Sequence, residues 1–222
     1  MMGVLSWLQL GLGYVGISHT AFVIYFFICL VLALIVLAVF LSVTNSPYPQ
    51  LNRDDAEKCF FDPASDDVQL FPSLTDAPSV ELSVIVPAYE EEKRLPAMLD
   101  ECLRYLEARC KSEEGFTYEV IVVDDGSSDR TTEIGRKYSK NYGTAKVRVL
   151  TLLENRGKGG AVTMGMLSSR GKYLLFADAD GATKFSELEK LEQEMVKLTI
   201  EDEVSSFESG WERPALAFGS RA

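Results

Sequence analysis

Three regimes of apolar patterning divide the chain. Thr20 to Val43 is almost continuously apolar, longer than the roughly 20 residues a helix needs to cross a bilayer. It predicts one transmembrane helix over 20–43. Ahead of it, residues 1–19 form an apolar segment with four glycines between residues 3 and 18, too short and broken for a second span. After it, residues 44–80 carry Pro, Asp and Ser with little periodicity and read as a juxtamembrane linker.

Residues 81–222 alternate between two periods and form the predicted globular domain. Leu82-Ser-Val-Ile-Val86, Tyr118 to Val123, Val147 to Leu152 and Tyr173 to Ala177 are short β-branched or apolar runs that predict strands. Between them apolar residues recur at helical spacing: Leu95, Leu99, Leu103 and Leu106; then Ile134 and Tyr138, with Asp129 as a cap; then Ala161, Met164 and Leu167. A further helix carries Leu188, Leu191, Met195 and Leu198, residues 199–214 read as an acidic loop, and Ala215-Leu-Ala-Phe218 as one more strand. Strands alternating with helices predict an α/β fold with an open, mostly parallel sheet.

Charge sharpens this division. No Asp, Glu, Lys or Arg precedes Arg53, so the formal net charge of −11 belongs wholly to the segment from Arg53 onward. Such a surface repels polyanions and excludes nucleic acid as a partner held by bulk field. A cleaved signal peptide is the competing reading of the apolar segment, but it has no basic leader, its apolar core is too long, and no small-residue cleavage site precedes Pro47. Arg53 and Lys58 beyond the span favour a cytoplasmic domain. The four cysteines make no C-x-x-C and the sole histidine is His19, so zinc-ligand spacing is absent and a reducing compartment is expected.

In an open parallel sheet, ligands bind beyond the carboxyl ends of the strands. The residues there are polar in this chain: Pro87-Ala-Tyr-Glu-Glu91, Asp124-Asp125, Asn155-Arg156-Gly157-Lys158 and Asp178-Ala-Asp180. Each cluster alone is an ordinary turn or cap, and D-x-D-G is a common turn sequence. Their coincidence on one rim points to a site. Asp178 and Asp180 suit a divalent ion, Mg²⁺ or Mn²⁺, which takes one or two carboxylates and completes its shell with water and phosphate oxygens. Tyr89 offers a face for a base, and Asp124 or Asp125 can accept a hydrogen bond from a uracil N–H. Gly157-Lys-Gly-Gly160 presents N–H groups to an anion, with Arg156 and Lys158 adding charge. The spacing is not that of a Walker A loop.

The ordered set V-I-V-P-A-Y-E-E-E-K-R-L-P (84–96), V-I-V-V-D-D-G-S-S-D-R-T (120–131), N-R-G-K-G-G-A (155–161) and D-A-D-G-A-T-K-F (178–185) resembles the inverting, GT-A-fold glycosyltransferases of family 2, and among them the eukaryotic dolichyl-phosphate β-glucosyltransferases. The resemblance implies a Rossmann-like GT-A sheet with flanking helices, UDP-glucose as donor, dolichyl phosphate in the membrane lipid as acceptor, a role in protein N-glycosylation, and a domain on the cytosolic face of the endoplasmic reticulum. By position, it implies that Pro87, Tyr89, Glu91, Val123 and Asp125 contact the nucleotide, that Asp178, Ala179 and Asp180 hold the metal and diphosphate, and that Arg221 contacts the donor phosphates. Two departures stand out: Glu90 replaces the family's usual Asn, and the chain stops at Ala222, short of an acceptor-binding half. A nucleotide-sugar-binding membrane protein without turnover, or a polyprenyl-phosphate hexosyltransferase for another sugar, therefore stays open. A haloacid-dehalogenase phosphatase fares worse, since its D-x-D lies on the first strand and only 42 residues follow Asp180 here.

Overall fold

The computed structural model describes residues 19–44, 52–73, 75–182 and 184–201. Two compact units divide at Leu51 and Asn52. In the first, helix α1 (His19–Thr44) has a 25-residue apolar stretch, Thr20–Thr44, long and apolar enough to cross a membrane, and none of its most apolar window is buried.

The second unit is built on a parallel sheet of four strands, β3 (Val80–Ala88), β4 (Tyr118–Asp124), β5 (Val147–Thr151) and β6 (Gly171–Phe176), in the order β5-β4-β3-β6. Central β4 is buried along its whole length, which is why its sequence is a near-continuous apolar run and not an alternating one. On one face, Leu82, Val84, Val86, Val120 and Val122 pack with α2 (Leu95–Ser112) and α3 (Thr131–Tyr142). Leu99, Leu103 and Leu106 of α2 are fully buried there, each stabilising the fold by about 1.5–3 kcal/mol. Below the site, α5 (Leu188–Glu201) joins this layer through Leu188.

Sheet residues Ile85, Ile121, Val123 and Leu150 face the other way, onto α4 (Gly157–Met166). That helix lies very close to the sheet: a Cβ added at Gly165 would sit 2.4 Å from Ile85 Cγ2 and 2.8 Å from Val123 Cγ2.

Over β3 to β5 the rest of this second face is covered by a segment read from the sequence as linker, while on edge strand β6 Leu174 and Phe176 stay exposed. Residues 55–58 make a 3₁₀ turn, and β1 (Cys59–Asp62) and β2 (Asp67–Leu70) form an antiparallel hairpin. Phe60 and Phe71 are buried in the same cluster as Ile85 and Leu150, with ring centroids 4.9 Å apart. The ordered domain therefore extends back to Asn52, because α4 alone leaves this face uncovered. The remainder of the expected linker, residues 45–51, and the expected loop and strand beyond residue 201 lie outside the described residues.

One acidic residue interrupts the buried strand β4. Glu119 accepts hydrogen bonds from Ser83 Oγ (2.5 Å) and the Arg170 backbone N–H (2.9 Å), and its carboxylate pairs with Arg148 and Arg170. Arg148 also lies over the rings of Phe60 and Phe71, at 5.3 and 5.2 Å. This network sits near the amino ends of the strands. It leaves the carboxyl ends free for chemistry.

Candidate active site

The parallel ladders run past the strand ends and fix the loops that follow. Asp125 N–H donates to Ala88 O (2.9 Å), Leu152 N–H to Asp124 O (2.8 Å) and Ala177 N–H to Ile85 O (2.9 Å). Beyond these bonds the loops enclose a cleft of about 220 Å³. Pro87, Tyr89, Glu91, Asp125, Lys158, Asp178, Ala179 and Asp180, all expected from the sequence, line it together with Ala88 and Ala161.

At one end, the loop after β3 is tied to the loop after β4. Glu90 is a non-glycine residue in the left-handed region (φ 57°). Its N–H donates to Ser127 Oγ (2.9 Å), while its carboxylate accepts from Ser128 N–H (3.1 Å) and Oγ (2.6 Å). Glu91 N–H donates to Thr131 Oγ1 (2.9 Å), and Glu92 N–H to Asp129 Oδ2 (3.0 Å). The Glu91 carboxylate accepts from Arg94 at both oxygens, from Nε and from Nη2. Tyr89, beside this clamp, lines the cleft and is 52% exposed.

The paired aspartates divide their tasks. Asp124 is turned inward, accepting from Ser127 N–H (3.0 Å) and Thr132 Oγ1, so it shapes its own loop. Asp125 faces the cleft, and its Oδ1 accepts from Arg156 N–H (2.8 Å) at the start of α4. Burial pushes the Asp125 carboxyl above its ordinary range; the N–H groups of Arg156 and Gly157 oppose this, and the adjacent Asp124 charge adds to it.

At the other end, the turn after β6 carries Asp178, Ala179 and Asp180. Gly181 closes it with φ 69°, and Asp180 Oδ1 accepts from Ala182 N–H (2.9 Å). Lys158 reaches across from α4 to Asp178 Oδ1 at 2.6 Å. Among the described residues no group of three or more His, Cys, Asp or Glu side chains could enclose a metal. Two hard carboxylates opening onto one cleft nevertheless suit Mg²⁺ or Mn²⁺, whose shells are completed by water and a ligand's own phosphate oxygens.

The remaining sequence candidates fall elsewhere. Val123 is fully buried against α4. The Arg156 guanidinium turns away from the cleft, onto both carboxylate oxygens of Glu57 at 3.0 and 2.9 Å. Glu57 is fully buried and needs a cation, and this partner lies in a segment where no sequence signal marked a site. Arg221 lies outside the described residues. The cleft-lining alanines, 88 and 161, carry no chemical signal in the sequence; their small size keeps the cleft open.

A sequence model of Glycosyl transferase family 2 matches residues 83–206. The proteins named dolichyl-phosphate beta-glucosyltransferase from Drosophila melanogaster and Homo sapiens are 53% identical over 193 residues and 50% identical over 191. These matches cover 87% and 86% of this chain and 56% of each relative. The Saccharomyces cerevisiae protein of that name is 39% identical, over 88% of this chain and 57% of its own. The chain thus spans little more than half the length of these relatives. Among solved structures, the mannosyltransferase PcManGT from Pyrobaculum calidifontis in complex with GDP-Man and Mn²⁺ is 26% identical, covers 49% of this chain and 29% of its own, and has a TM-score of 0.38. An overlap that partial carries no argument.

Proposed function

The chain belongs to glycosyl transferase family 2, and we propose that it binds UDP-glucose and, in the full-length protein, transfers the glucose to dolichyl phosphate with inversion at the anomeric carbon. The relatives' shared name supports the sugar and the acceptor. One observation carries the reading: a single cleft opens on Tyr89 and Asp125 at one end and on Lys158, Asp178 and Asp180 at the other. An aromatic ring and an acceptor for a base, with a cation and two carboxylates for a metal-bound diphosphate, are the groups a sugar nucleotide requires.

In this reading Tyr89 stacks on the uracil and Asp125 accepts its N–H. The amino end of α4 and the Lys158 ammonium face the diphosphate. Asp178 and Asp180 would hold Mg²⁺ or Mn²⁺, and Arg221 would add charge to the donor phosphates. A bound divalent ion supplies Lewis-acid stabilisation of the departing UDP. The attacking oxygen of a phosphate monoester is already anionic at neutral pH, so no side chain must remove a proton from it. Helix α1 would anchor the protein in the endoplasmic reticulum membrane with the domain in the cytosol, concentrating it beside a lipid acceptor.

Calorimetry of the detergent-solubilised chain with UDP and Mn²⁺ tests the binding, and transfer of radiolabelled glucose to dolichyl phosphate by the full-length protein tests the chemistry. Asp178→Asn is expected to weaken metal-dependent UDP binding by about tenfold or more, the scale of losing a charged contact. Unchanged affinity and unchanged metal dependence in that variant would remove Asp178 from the metal site. Binding without transfer selects the alternative, a nucleotide-sugar-binding membrane protein without turnover.

A further inference from the structure

We infer that Lys158 is the resting counter-cation of Asp178, and that it surrenders this carboxylate to a divalent ion only when a nucleotide diphosphate enters to take up its ammonium. The inference rests on the reading of the cleft given above and adds a coupling between its two ligands.

Lys158 lies in the first turn of α4, where the helix dipole disfavours a cation. Its ammonium is stabilised instead by Asp178, across the cleft, at 2.6 Å. The lysine side chain is 60% exposed and the aspartate 29%, so the pair is free to separate without disturbing the core. Among the described residues Asp180 has no such cation; its Oδ1 is held by Ala182 N–H.

A metal arriving alone therefore meets one neutralised carboxylate and one partly engaged carboxylate, and is repelled by the ammonium already present. A diphosphate changes this balance, because its negative charges satisfy both cations at once. Lys158 then turns to the phosphate oxygens at the amino end of α4, and both aspartates become available. The pair makes metal binding conditional on nucleotide binding, which keeps the cleft from filling with metal when no donor is present.

The test is one substitution with two readouts of opposite sign. In the full chain in detergent, Lys158→Gln is expected to tighten binding of Mn²⁺ alone by about two- to fivefold, the range an exposed ion pair commands. The same variant is expected to weaken UDP binding at saturating Mn²⁺. Lys158→Arg, which keeps the charge, should restore weak metal binding without nucleotide. If Lys158→Gln weakens both affinities, or leaves Mn²⁺ binding unchanged, Lys158 is not a counter-cation and the inference fails while the proposed function stands. If the wild-type chain shows no Mn²⁺-dependent UDP binding at all, both fail.

Discussion

Glu90 stands in a backbone conformation that glycine and asparagine adopt at lower cost, with φ 57°. The family's usual Asn suits that geometry directly. Here the cost is offset by the longer side chain, which reaches Ser128 N–H and Oγ. Glu90→Ala keeps the strain and loses those bonds, so urea unfolding should show a loss of about 1–2 kcal/mol. Glu90→Gly loses the same bonds but relaxes the backbone and is expected to fall between wild type and Ala. If Gly proves no better than Ala, the residue is not held left-handed in solution. Nearby, Asp129 gives a pH signature. Burial raises its pKa, but hydrogen bonds from Thr131 Oγ1 and from the N–H groups of Glu92 and Thr131 outweigh this and hold it below its ordinary value. A depressed carboxylate stabilises the fold above its unfolded pKa, and that contribution fades as pH falls through the folded value. The stability gap between wild type and Asp129→Ala should therefore be full at neutral pH, about 1 kcal/mol as for lost hydrogen bonds. It should shrink as pH falls below the ordinary aspartate range. A gap independent of pH would assign the loss to packing.

At the scale of elements, legibility in the sequence followed burial. Strands β3, β4 and β5 announced themselves because both faces of the sheet are covered there, which demands unbroken β-branched runs such as Val120-Ile-Val-Val123, whereas edge strand β6 is covered on one face only and was legible as a short apolar run. The rim followed, since topology alone brings the strand ends together, and eight expected residues line one cleft. The hairpin stayed hidden for the opposite reason. Its strands are four residues each, β2 is exposed throughout, and only Phe60 and the following Phe71 anchor it. Arg156 was misplaced because a basic residue beside a glycine-rich helix start suggests phosphate, and nothing in the local pattern reveals a buried glutamate 99 positions earlier. Gly157-Lys-Gly-Gly160 drew notice for its anion-binding potential, yet the glycine with the tightest contact to the sheet is Gly165. Gly165→Ala would push a methyl into Ile85 and Val123 and either lift α4 or distort the strands. Overpacking of this kind costs about 1–3 kcal/mol. Because α4 also carries Lys158, thermal unfolding should shift down and UDP affinity should fall in the same variant. A stable Gly165→Ala protein with normal UDP binding would mean that α4 sits farther from the sheet than described.

For the molecule as a whole, the division into two compact units at Asn52 sets where the domain can be cut. Removing residues 1–51 takes away the apolar helix and leaves every contact of the domain described above in place. Removing residues 1–80, the cut that linker-like composition invites, strips three supports at once. Glu57 disappears from beneath Arg156, leaving a guanidinium that is 15% exposed without its carboxylate partner, and breaking a buried pair costs about 3–5 kcal/mol. Phe60 and Phe71 leave the core and uncover Arg148, and deletion of a buried phenylalanine costs about 3–5 kcal/mol. Together these losses approach or exceed the whole stability of an ordinary domain, about 5–15 kcal/mol. A chain beginning at Asn52 should therefore be recovered without detergent, show a cooperative melt and bind UDP with Mn²⁺ as the parent does. A chain beginning at Glu81, though it keeps all eight expected cleft residues, should aggregate or melt without a transition. If the shorter chain folds and binds UDP equally well, the hairpin is an accessory and the second face of the sheet needs no cover beyond α4.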